Sequence, residues 1–359
     1  MLSKIQQIED SDWLATPIAG IHHDTMQEAR AYQKQLTKPP GALGELEEIA
    51  IRMAGLQGVL KPQITRPHII VFAADHGIVD EGVSAFPQAV TAQMLSNFAN
   101  GGAAINVLAK QIAAQLTVVD MGVIGEVSHA ENILNMRVRE GTDNFAKRAA
   151  MSRDECLQAL HSGKLVVDQA QQASMDFFIA GEMGIGNTSS ATALAACITK
   201  LSAVTLTGPG TGLDKSAVAY KARVIQQAIT KSKLSGADAL RCLSYFGGFE
   251  IAAMVGAYLR CAQLGIPMLL DGYISSVAGY YAVKLQPQAR DWMLFGHRSQ
   301  EPGHQHILRC LQAEPILNLG MRLGEGSGAA VAFNIIQSAL LMHHDMATFS
   351  SAGVENQPA

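Results

Sequence analysis

Residues 321–330, MRLGEGSGAA, place one glutamate among three glycines, with an arginine before them and an apolar run behind. Arg322 and the backbone N–H groups from Gly324 to Gly328 could bind a phosphate or a ribose. A helix-capping turn, with Glu325 at the positive end of the following helix, is an alternative. A carboxyl held among N–H groups is expected to have a depressed pKa. Glu325 would then be ionised and could accept a proton or stabilise a cation. A negative carboxylate does not bind a phosphate.

A second glycine-rich segment, GEMGIGNTSS at residues 181–190, follows a predicted strand and opens an alanine-rich helix. N–H groups at a helix start can hold an anion, and glycines let a ligand approach the backbone. The spacing matches neither GxGxxG nor GxxxxGK[ST], so neither dinucleotide nor NTP binding is predicted. A tight turn without a ligand explains the glycines equally well. However, Glu182 is an acid at the carboxyl end of a strand, where packing alone gives it no role.

Two further segments carry candidate groups. TGPGTGLDK (207–215) repeats the glycine-rich pattern after another predicted strand, and Lys221 follows within one or two helical turns. A lysine on a helix is usually only solvated, so alone it predicts little. FGHRSQEPGH (295–304) offers Ser299 and two histidines. His297 could be a base, although structural roles for histidine are commoner.

The segment ADHGIVDEGVSAFP (74–87) raises a metal hypothesis, with Asp75, His76, Asp80 and Glu81 as candidates. A metal site is not favoured, because no second paired histidine accompanies them and a lone histidine is more often hydrogen-bonded within the structure. The apolar residues of this segment could instead line a slot for a flat ring. They are Val83, Phe86, Pro87, Val90 and Met94.

The elements that must position these groups are short apolar runs, each ending in glycine or polar residues and followed by a helical pattern. The runs are HIIVFAA, LTVVD, FFIA, AVTLTG, PMLL and WMLF. Continuous apolar strands alternating with helices indicate a parallel sheet covered on both faces, with ligands at the carboxyl ends of its strands. We therefore predict an α/β fold: a Rossmann-like, doubly wound, mostly parallel sheet over residues 67–299. A smaller helical domain would combine residues 1–66 and 300–359.

Composition narrows the function classes. With 48% hydrophobic and 16% charged residues among 359, the chain can bury a large core. A net charge of −4 does not favour nucleic-acid binding. Acids stand where a signal peptide needs an apolar run, and the uncharged stretch 326–344 predicts a buried helix, not a membrane span. Five scattered cysteines predict reduced core thiols in a cytoplasmic protein.

Taken together, these residues predict several anion-binding turns, at least two carboxylates and an apolar lip. Such a set suits a phosphorylated sugar or nucleotide whose anomeric carbon becomes cationic as a bond breaks. The residues alone indicate a phosphosugar or nucleotide enzyme, with glycosyl transfer as one possibility.

Longer motifs then show a family resemblance. They are KPPGALGELEEIAIRMAGLQG, AADHGIVDEGVSAFPQAVTAQM, NMRVREGTDN, GEMGIGNT, GGFEIAAMVGA, LLDGYISS and MRLGEGSGAA, in that order over about residues 36–346. The chain thereby resembles the nicotinate-nucleotide–dimethylbenzimidazole phosphoribosyltransferases of cobalamin lower-ligand assembly. The resemblance implies transfer of the phosphoribosyl group of nicotinate mononucleotide to dimethylbenzimidazole, with inversion at C1′. It also implies a homodimer that needs no metal or organic cofactor.

Carried over residue by residue, the resemblance implies that Glu325 is the general base for the benzimidazole N–H proton. Glu182 and Lys221 match further catalytic positions. The implied phosphate and ribose contacts are Gly184, Gly210, Ser299, Arg322, Gly324 and Gly328. One base is enough, because the quaternary ring nitrogen of nicotinate becomes neutral as it leaves.

The chain departs from the family pattern at the base slot. Phe86 and Met94 occupy the positions at which well-known enteric members carry a serine and a glutamine. This less polar slot could bind the same base by stacking or favour another lower-ligand base. Two other functions remain alternatives: a nucleosidase-like hydrolase, in which water replaces the base, and a non-catalytic nucleotide-binding paralogue.

Overall fold

A computed structural model describes residues 12–125, 127, 133–234, 236 and 238–355. Its centre is a six-stranded sheet in which every neighbouring pair is parallel, in the order β3-β2-β1-β4-β5-β6. The strands are β1 Pro67–Ala74, β2 Gln115–Gly122, β3 Ile133–Asn135, β4 Phe177–Met183, β5 Met268–Leu270 and β6 Met293–Phe295. The predicted doubly wound parallel sheet is confirmed. The strand order reverses between β1 and β4, which is where such sheets bind ligands.

Helices connect the strands. In chain order they are α1 His23–Gln33, α2 Glu45–Gln57, α3 Ala89–Ala99, α4 Ala104–Gln111, α5 Arg153–Gln172, α6 Asn187–Thr199, α7 Ala203–Leu206, α8 Lys215–Ser232, α9 Ala239–Phe246, α10 Phe249–Leu264, α11 Tyr273–Leu285, α12 His304–Cys310, α13 Ser327–Asp345 and α14 Phe349–Ala352. Short 3₁₀ helices span Asp12–Ala15, Gly77–Glu81 and Pro287–Trp292.

The two faces of the sheet are covered by different helices. Every residue of β1 is buried, as its uninterrupted apolar sequence predicts. The chain moves from β1 through β2 to β3 toward one edge of the sheet and from β4 through β5 to β6 toward the opposite edge. Because both sets of crossovers are right-handed, their helices lie on opposite faces of the sheet. Helices α3, α4 and α13 therefore cover one face and α5, α10 and α11 the other, in agreement with the contacts of α4 with α13 and of α10 with α5 and α11.

Two strand predictions need correction. The run AVTLTG does not form a strand, because Ala203–Leu206 is a single helical turn capped by Ser202, whose hydroxyl accepts the Thr205 N–H. Its β-branched residues indicated a strand, but the local cap determines the structure. The edge strand β3 was not predicted, since its sequence ILN is partly exposed and ends in asparagine and therefore does not form an apolar run.

The terminal segments contact each other through α2 and α13. Gln33 and His343 side chains are hydrogen-bonded at 2.7 Å, and Leu36 forms an isolated bridge with Thr348. Residues from both segments, such as Ile49 and Ile336, belong to the same apolar core as the sheet. The division into 67–299 and a helical domain of 1–66 and 300–359 stays a prediction.

The predicted buried helix of the uncharged stretch is confirmed as α13. Within the described ranges, no helix combines the length and apolarity needed to cross a membrane. Cys156, Cys197, Cys242 and Cys261 are buried, whereas Cys310 is exposed at the end of α12. The expectation of a core position is therefore wrong for Cys310.

Candidate active site

The carboxyl ends of β4, β5 and β6 and the turn before α13 surround one cavity of about 610 Å³. Nine of the eleven residues predicted for the site line it: Phe86, Met94, Glu182, Gly184, Gly210, Ser299, Arg322, Gly324 and Glu325. Lys221 and Gly328 lie behind its surface. The sheet topology thus brings together segments that are far apart in the sequence.

Glu325 occupies a tight turn between Gly324 and Gly326, and all three residues have positive φ values of 88°, 63° and 85° in chain order. Its N–H donates to the Glu182 carbonyl at 3.3 Å, so this turn is hydrogen-bonded to the end of β4. The side chain is 6% exposed. Its Oε2 accepts one backbone N–H, from Ile105 in the first turn of α4, at 3.3 Å.

The expected depressed pKa of Glu325 is wrong. Burial raises the pKa of this carboxyl, the N–H of Ile105 lowers it and the neighbouring Asp271 raises it again. The carboxyl lies at the start of α4 and receives a single long hydrogen bond there, which does not offset the loss of water. The sequence could not show this, because α4 lies 220 residues earlier in the chain. A raised pKa makes Glu325 a stronger base than an exposed glutamate.

Glu182, the residue before the last of β4, is a second buried carboxyl beside this turn. Its Oε2 accepts a hydrogen bond from the Asn187 side chain, in the first turn of α6. A side chain at Gly324 would clash with the Glu182 carboxyl, so the glycine allows the turn to approach it. Burial raises the pKa of Glu182 well above its ordinary value, and Asp271 and Glu250 raise it further. The prediction that this acid is not a packing residue agrees with its place in the cavity wall.

Asp271 and Glu301 are cavity residues that the sequence analysis missed. Asp271 follows β5 and accepts the Ala329 N–H at 2.8 Å. Burial raises its pKa, and His297, whose Nε2 lies 3.6 Å from Asp271 Oδ1, lowers it. An acid and a glycine directly after an apolar run, as in LLDGY, were the signal that could have found Asp271. Glu301 accepts the Gly210 N–H at 2.9 Å.

The histidines of the FGHRSQEPGH segment have different surroundings. His297 is 2% exposed and lines the cavity, where its Nε2 lies 3.6 Å from Asp271 Oδ1. His304 instead bonds to Ser276 at 3.0 Å and to the Ser299 N–H at 2.9 Å. Burial lowers the pKa of His304 to about 3, so it is a neutral structural residue that holds Ser299 in place.

The predicted phosphate side is built from Arg322, Gly210 and Ser299. Arg322 is exposed, and its Nη1 donates to the Gly210 carbonyl at 2.9 Å. Lys221 is buried behind Gly210 and donates to Thr188 Oγ1 at 2.7 Å. Burial lowers the pKa of Lys221 to about 8, while Glu301 raises it. Lys221 therefore contributes positive charge beneath the cavity wall and braces Thr188, which lines the cavity.

Two of the predicted glycines serve close packing. A side chain at Gly328 would clash with the His297 ring, and one at Gly184 would clash with the Ala74 carbonyl. Gly184 still lines the cavity, whereas Gly328 lies in the first turn of α13.

The apolar lip is present in part. Phe86, Val90 and Met94 line the cavity, and Phe86 is 49% exposed. Val83 belongs to the buried core, so its assignment to the slot is wrong. Pro87 is exposed beside the lip.

Asp75 and His76 of the ADHG segment are held by hydrogen bonds through both carboxyl oxygens and both ring nitrogens. Asp75 accepts from Thr91 Oγ1 at 2.7 Å and from the Ile124 N–H at 2.8 Å. His76 bonds to Ser190 at 2.9 Å and to Glu250 at 2.6 Å. Among the described residues, no group of three or more His, Cys, Asp or Glu side chains is arranged to hold a metal. These partners explain the buried acid and histidine of this segment as structural residues.

One cavity is therefore lined by apolar side chains, an exposed arginine and buried carboxyl groups. This set of groups suits a ligand that carries both an anionic group and a flat ring. A carboxyl in the same wall can take a proton from the ring.

The sequence and fold of this chain match a family model, named relatives and a solved structure. A phosphoribosyltransferase family model matches residues 18–354. The nicotinate-nucleotide–dimethylbenzimidazole phosphoribosyltransferase of Pseudomonas putida KT2440 is 49% identical over 97% of this chain and 99% of that protein. The enzyme of the same name from Pseudomonas syringae pv. syringae B728a is 50% identical over the same shares. The crystal structure of CobT from Thermus thermophilus superposes with a TM-score of 0.89 at 41% identity, over 93% of this chain and 99% of that one.

Proposed function

The chain belongs to the nicotinate-nucleotide–dimethylbenzimidazole phosphoribosyltransferase family, and from that premise we propose its reaction and the role of each site residue. The enzyme transfers the 5-phosphoribosyl group of nicotinate mononucleotide to 5,6-dimethylbenzimidazole or a related base. The products are α-ribazole 5′-phosphate and nicotinate, with inversion at C1′, in the nucleotide-loop branch of cobalamin biosynthesis. The observation that carries the proposal is the Glu325 carboxyl, which lines the cavity together with the apolar lip and Arg322.

The chemical step needs one proton transfer. One benzimidazole nitrogen attacks C1′ while Glu325 takes the proton from the other nitrogen. The bond between C1′ and the nicotinate nitrogen breaks, and its electron pair neutralises the pyridinium. No acid is needed for the leaving group. The raised pKa of Glu325 favours its acceptance of the proton.

The carboxyl groups of Glu182 and Asp271 stabilise the positive charge that develops on the ribose. C1′ becomes positive as the bond breaks, and an ionised Glu182 or Asp271 in the cavity wall stabilises that charge. Burial raises the pKa of both carboxyls and so favours their neutral forms, whereas the positive charge of the ligand lowers those pKa values and favours the ionised forms.

Arg322, Ser299 and the Gly210 turn hold the phosphate and ribose, and α6 directs its N-terminus toward the same end. Lys221 adds positive charge from below. At the other end, Phe86, Val90 and Met94 stack on the incoming ring. A bulkier, less polar lip accepts flat bases other than dimethylbenzimidazole, so the preferred acceptor is tested separately.

We further propose a homodimer that works in the cytoplasm. Large apolar side chains remain exposed on neighbouring helices, including Val107 at 63% and Leu341 at 60%. Exposed apolar surface of this kind is typical of interfaces. Light scattering of the purified protein would measure the mass, and a monomer at micromolar concentration would contradict the proposal.

The decisive test of the reaction is incubation with nicotinate mononucleotide, with and without dimethylbenzimidazole. We expect nicotinate and α-ribazole 5′-phosphate in equal amounts, formed only with the acceptor and measured by mass spectrometry. Nicotinate release that ignores the acceptor would indicate a hydrolase. Tight nucleotide binding without turnover would indicate a non-catalytic paralogue. A parallel screen of benzimidazoles, purines and phenols identifies the preferred acceptor.

A further inference from the structure

We propose that Thr211 couples the two halves of the cavity, so that occupation of the phosphoribosyl side orders the lip that binds the acceptor base. This inference rests on the proposed function, because it assigns the two ends of the cavity to the two substrates. Thr211 lines the cavity and is one residue away from Gly210. It would be a positioning residue, with no part in the bond changes.

The Gly210 turn is held from the phosphate side of the cavity. The Gly210 N–H donates to Glu301 Oε1 at 2.9 Å, and the Gly210 carbonyl accepts from Arg322 Nη1 at 2.9 Å. Arg322 is exposed, so its position depends on what it binds. A phosphate held by Arg322 therefore also fixes the peptide groups of the Gly210 turn, and with them the backbone of Thr211.

On its other side, Thr211 is hydrogen-bonded to the lip. The Ala85 N–H donates to Thr211 Oγ1 at 3.2 Å, and the Ser84 and Thr211 hydroxyls are 3.4 Å apart. The Ser84 hydroxyl donates to the Phe86 carbonyl at 3.0 Å and accepts the Phe86 N–H at 3.2 Å. Since the single hydroxyl proton of Ser84 goes to Phe86, Thr211 must be the donor to Ser84.

The hydrogen bonds therefore run in one chain from Thr211 to the backbone of Phe86. The lip segment is exposed around Ala85 and Phe86 and has little packing of its own. When Thr211 is fixed, Phe86 is already partly ordered, so stacking of a ring on Phe86 costs less conformational entropy. The two ligands then bind with positive cooperativity without a large movement of the protein. The coupling must be reciprocal, so the acceptor tightens the phosphoribosyl ligand by the same factor.

The test compares wild type with Thr211→Val, which keeps the shape but removes the hydroxyl. Thr211→Ser, which keeps the hydroxyl, is the matched control. Ser84→Ala breaks the same chain from the lip side. Dimethylbenzimidazole binding is titrated by its own fluorescence, with and without saturating ribose 5-phosphate, which lacks a leaving group and cannot react. Steady-state kinetics with nicotinate mononucleotide follow on the same proteins.

We expect ribose 5-phosphate to tighten dimethylbenzimidazole binding in wild type and Thr211→Ser by the same factor. In Thr211→Val and Ser84→Ala that factor should fall at least threefold. The KM for dimethylbenzimidazole should rise about three- to tenfold, the range for losing one or two neutral hydrogen bonds. Because the coupling is reciprocal, the KM for nicotinate mononucleotide, measured at saturating acceptor, should rise by a similar factor, whereas kcat should change less. A merely structural role would lower kcat and weaken each ligand by itself, without changing the factor by which one ligand tightens the other.

An unchanged coupling factor in Thr211→Val would overturn the proposal, as would an equal loss in Thr211→Ser or no coupling in wild type. Should Thr211→Val fail to fold, Ser84→Ala decides alone. Failure of the proposed function looks different. A wild-type protein that binds both ligands cooperatively but transfers nothing would contradict the reaction and support the coupling.

Discussion

The turn before α13 and the segment after β1 both place buried acids at the carboxyl edge of the sheet. The two acids differ in how many of their carboxyl oxygens are hydrogen-bonded. After β1, both Asp75 oxygens and both His76 ring nitrogens have partners, and Asp75 and His76 are fully buried. Before α13, the Glu325 carboxyl accepts one hydrogen bond from the described residues, at 3.3 Å, and lines a cavity. A saturated network holds a fold together, whereas unused hydrogen-bonding capacity facing a cavity is available to a ligand.

A shifted pKa does not separate these two regions. Burial raises the pKa of Asp75, as it does that of Glu325. The difference lies in access to the cavity, where the acid can exchange a proton with a ligand. Perturbed titration therefore supports a functional role only together with geometry.

The sharpest test of the comparison is Glu325→Gln. This change keeps the shape of the side chain and removes the base, so kcat should fall about 100- to 10,000-fold. In the wild type, kcat/KM should decline at acidic pH with a midpoint above 4.5, because Glu325 must lose its proton and burial raises its pKa. A variant within about threefold of wild type would contradict the assignment. Nucleotide binding and thermal unfolding serve as controls for folding.

Substitutions in the ADHG network should lower the free energy of unfolding of the protein. Glu250→Ala leaves His76 buried without its 2.6 Å partner, and we expect the free energy of unfolding to fall by about 3 kcal/mol. Urea denaturation measures this change. Glu325→Gln, measured in the same way, should show no such loss. Equal destabilisation by both variants would remove the distinction between the two regions.

Arg322→Ala separates binding from chemistry within the same turn. In the proposed role, the guanidinium binds the ligand equally before and during the reaction, so its loss should raise the KM for nicotinate mononucleotide about tenfold. Turnover at saturation should change much less, and stability hardly at all, because the side chain is exposed. Lost turnover with unchanged nucleotide affinity would place Arg322 in the chemistry instead.

The smallest expected effect is a gain in stability. Glu182 has a folded-state pKa raised by burial, so the folded protein binds its proton more tightly than the unfolded chain does. Stability is then lost as the pH rises from the unfolded to the folded pKa. Glu182→Gln should raise Tm by about 1–2 °C at pH 8, and the gain should disappear near pH 4. Calorimetry at both pH values checks it, and a lower Tm at pH 8 would refute the sign.

Much of the fold could be predicted because its central strands are continuous apolar runs. β1 is eight residues long and entirely buried, so it appears in the sequence as a long uninterrupted apolar run. The three residues of β3, partly exposed at the edge, leave none. The AVTLTG run was misread because β-branched residues favour strands, while a single side-chain cap at Ser202 selects a helical turn.

The place of a residue in the cavity wall could be predicted where an acid lies in a glycine-rich segment at the carboxyl end of a strand, as with Glu182. The direction of the Glu325 pKa was not, since it depends on burial and on Ile105 from a distant helix. The contact of Thr211 with Ala85 joins residues 126 positions apart and leaves no trace in either segment alone. Local chemistry can be read from residue types, whereas solvent access and partners depend on the folded arrangement.

The left-handed backbone at Glu325, with φ of 63°, bears on how the protein evolves. A residue with a side chain costs about 1–2 kcal/mol there, a cost that glycine does not carry. A descendant released from selection for catalysis would gain stability by drifting to glycine at this position. With Glu325 as the proposed base, this position can be checked in any related sequence: we expect a glutamate where the reaction is in use and a glycine where it has been lost.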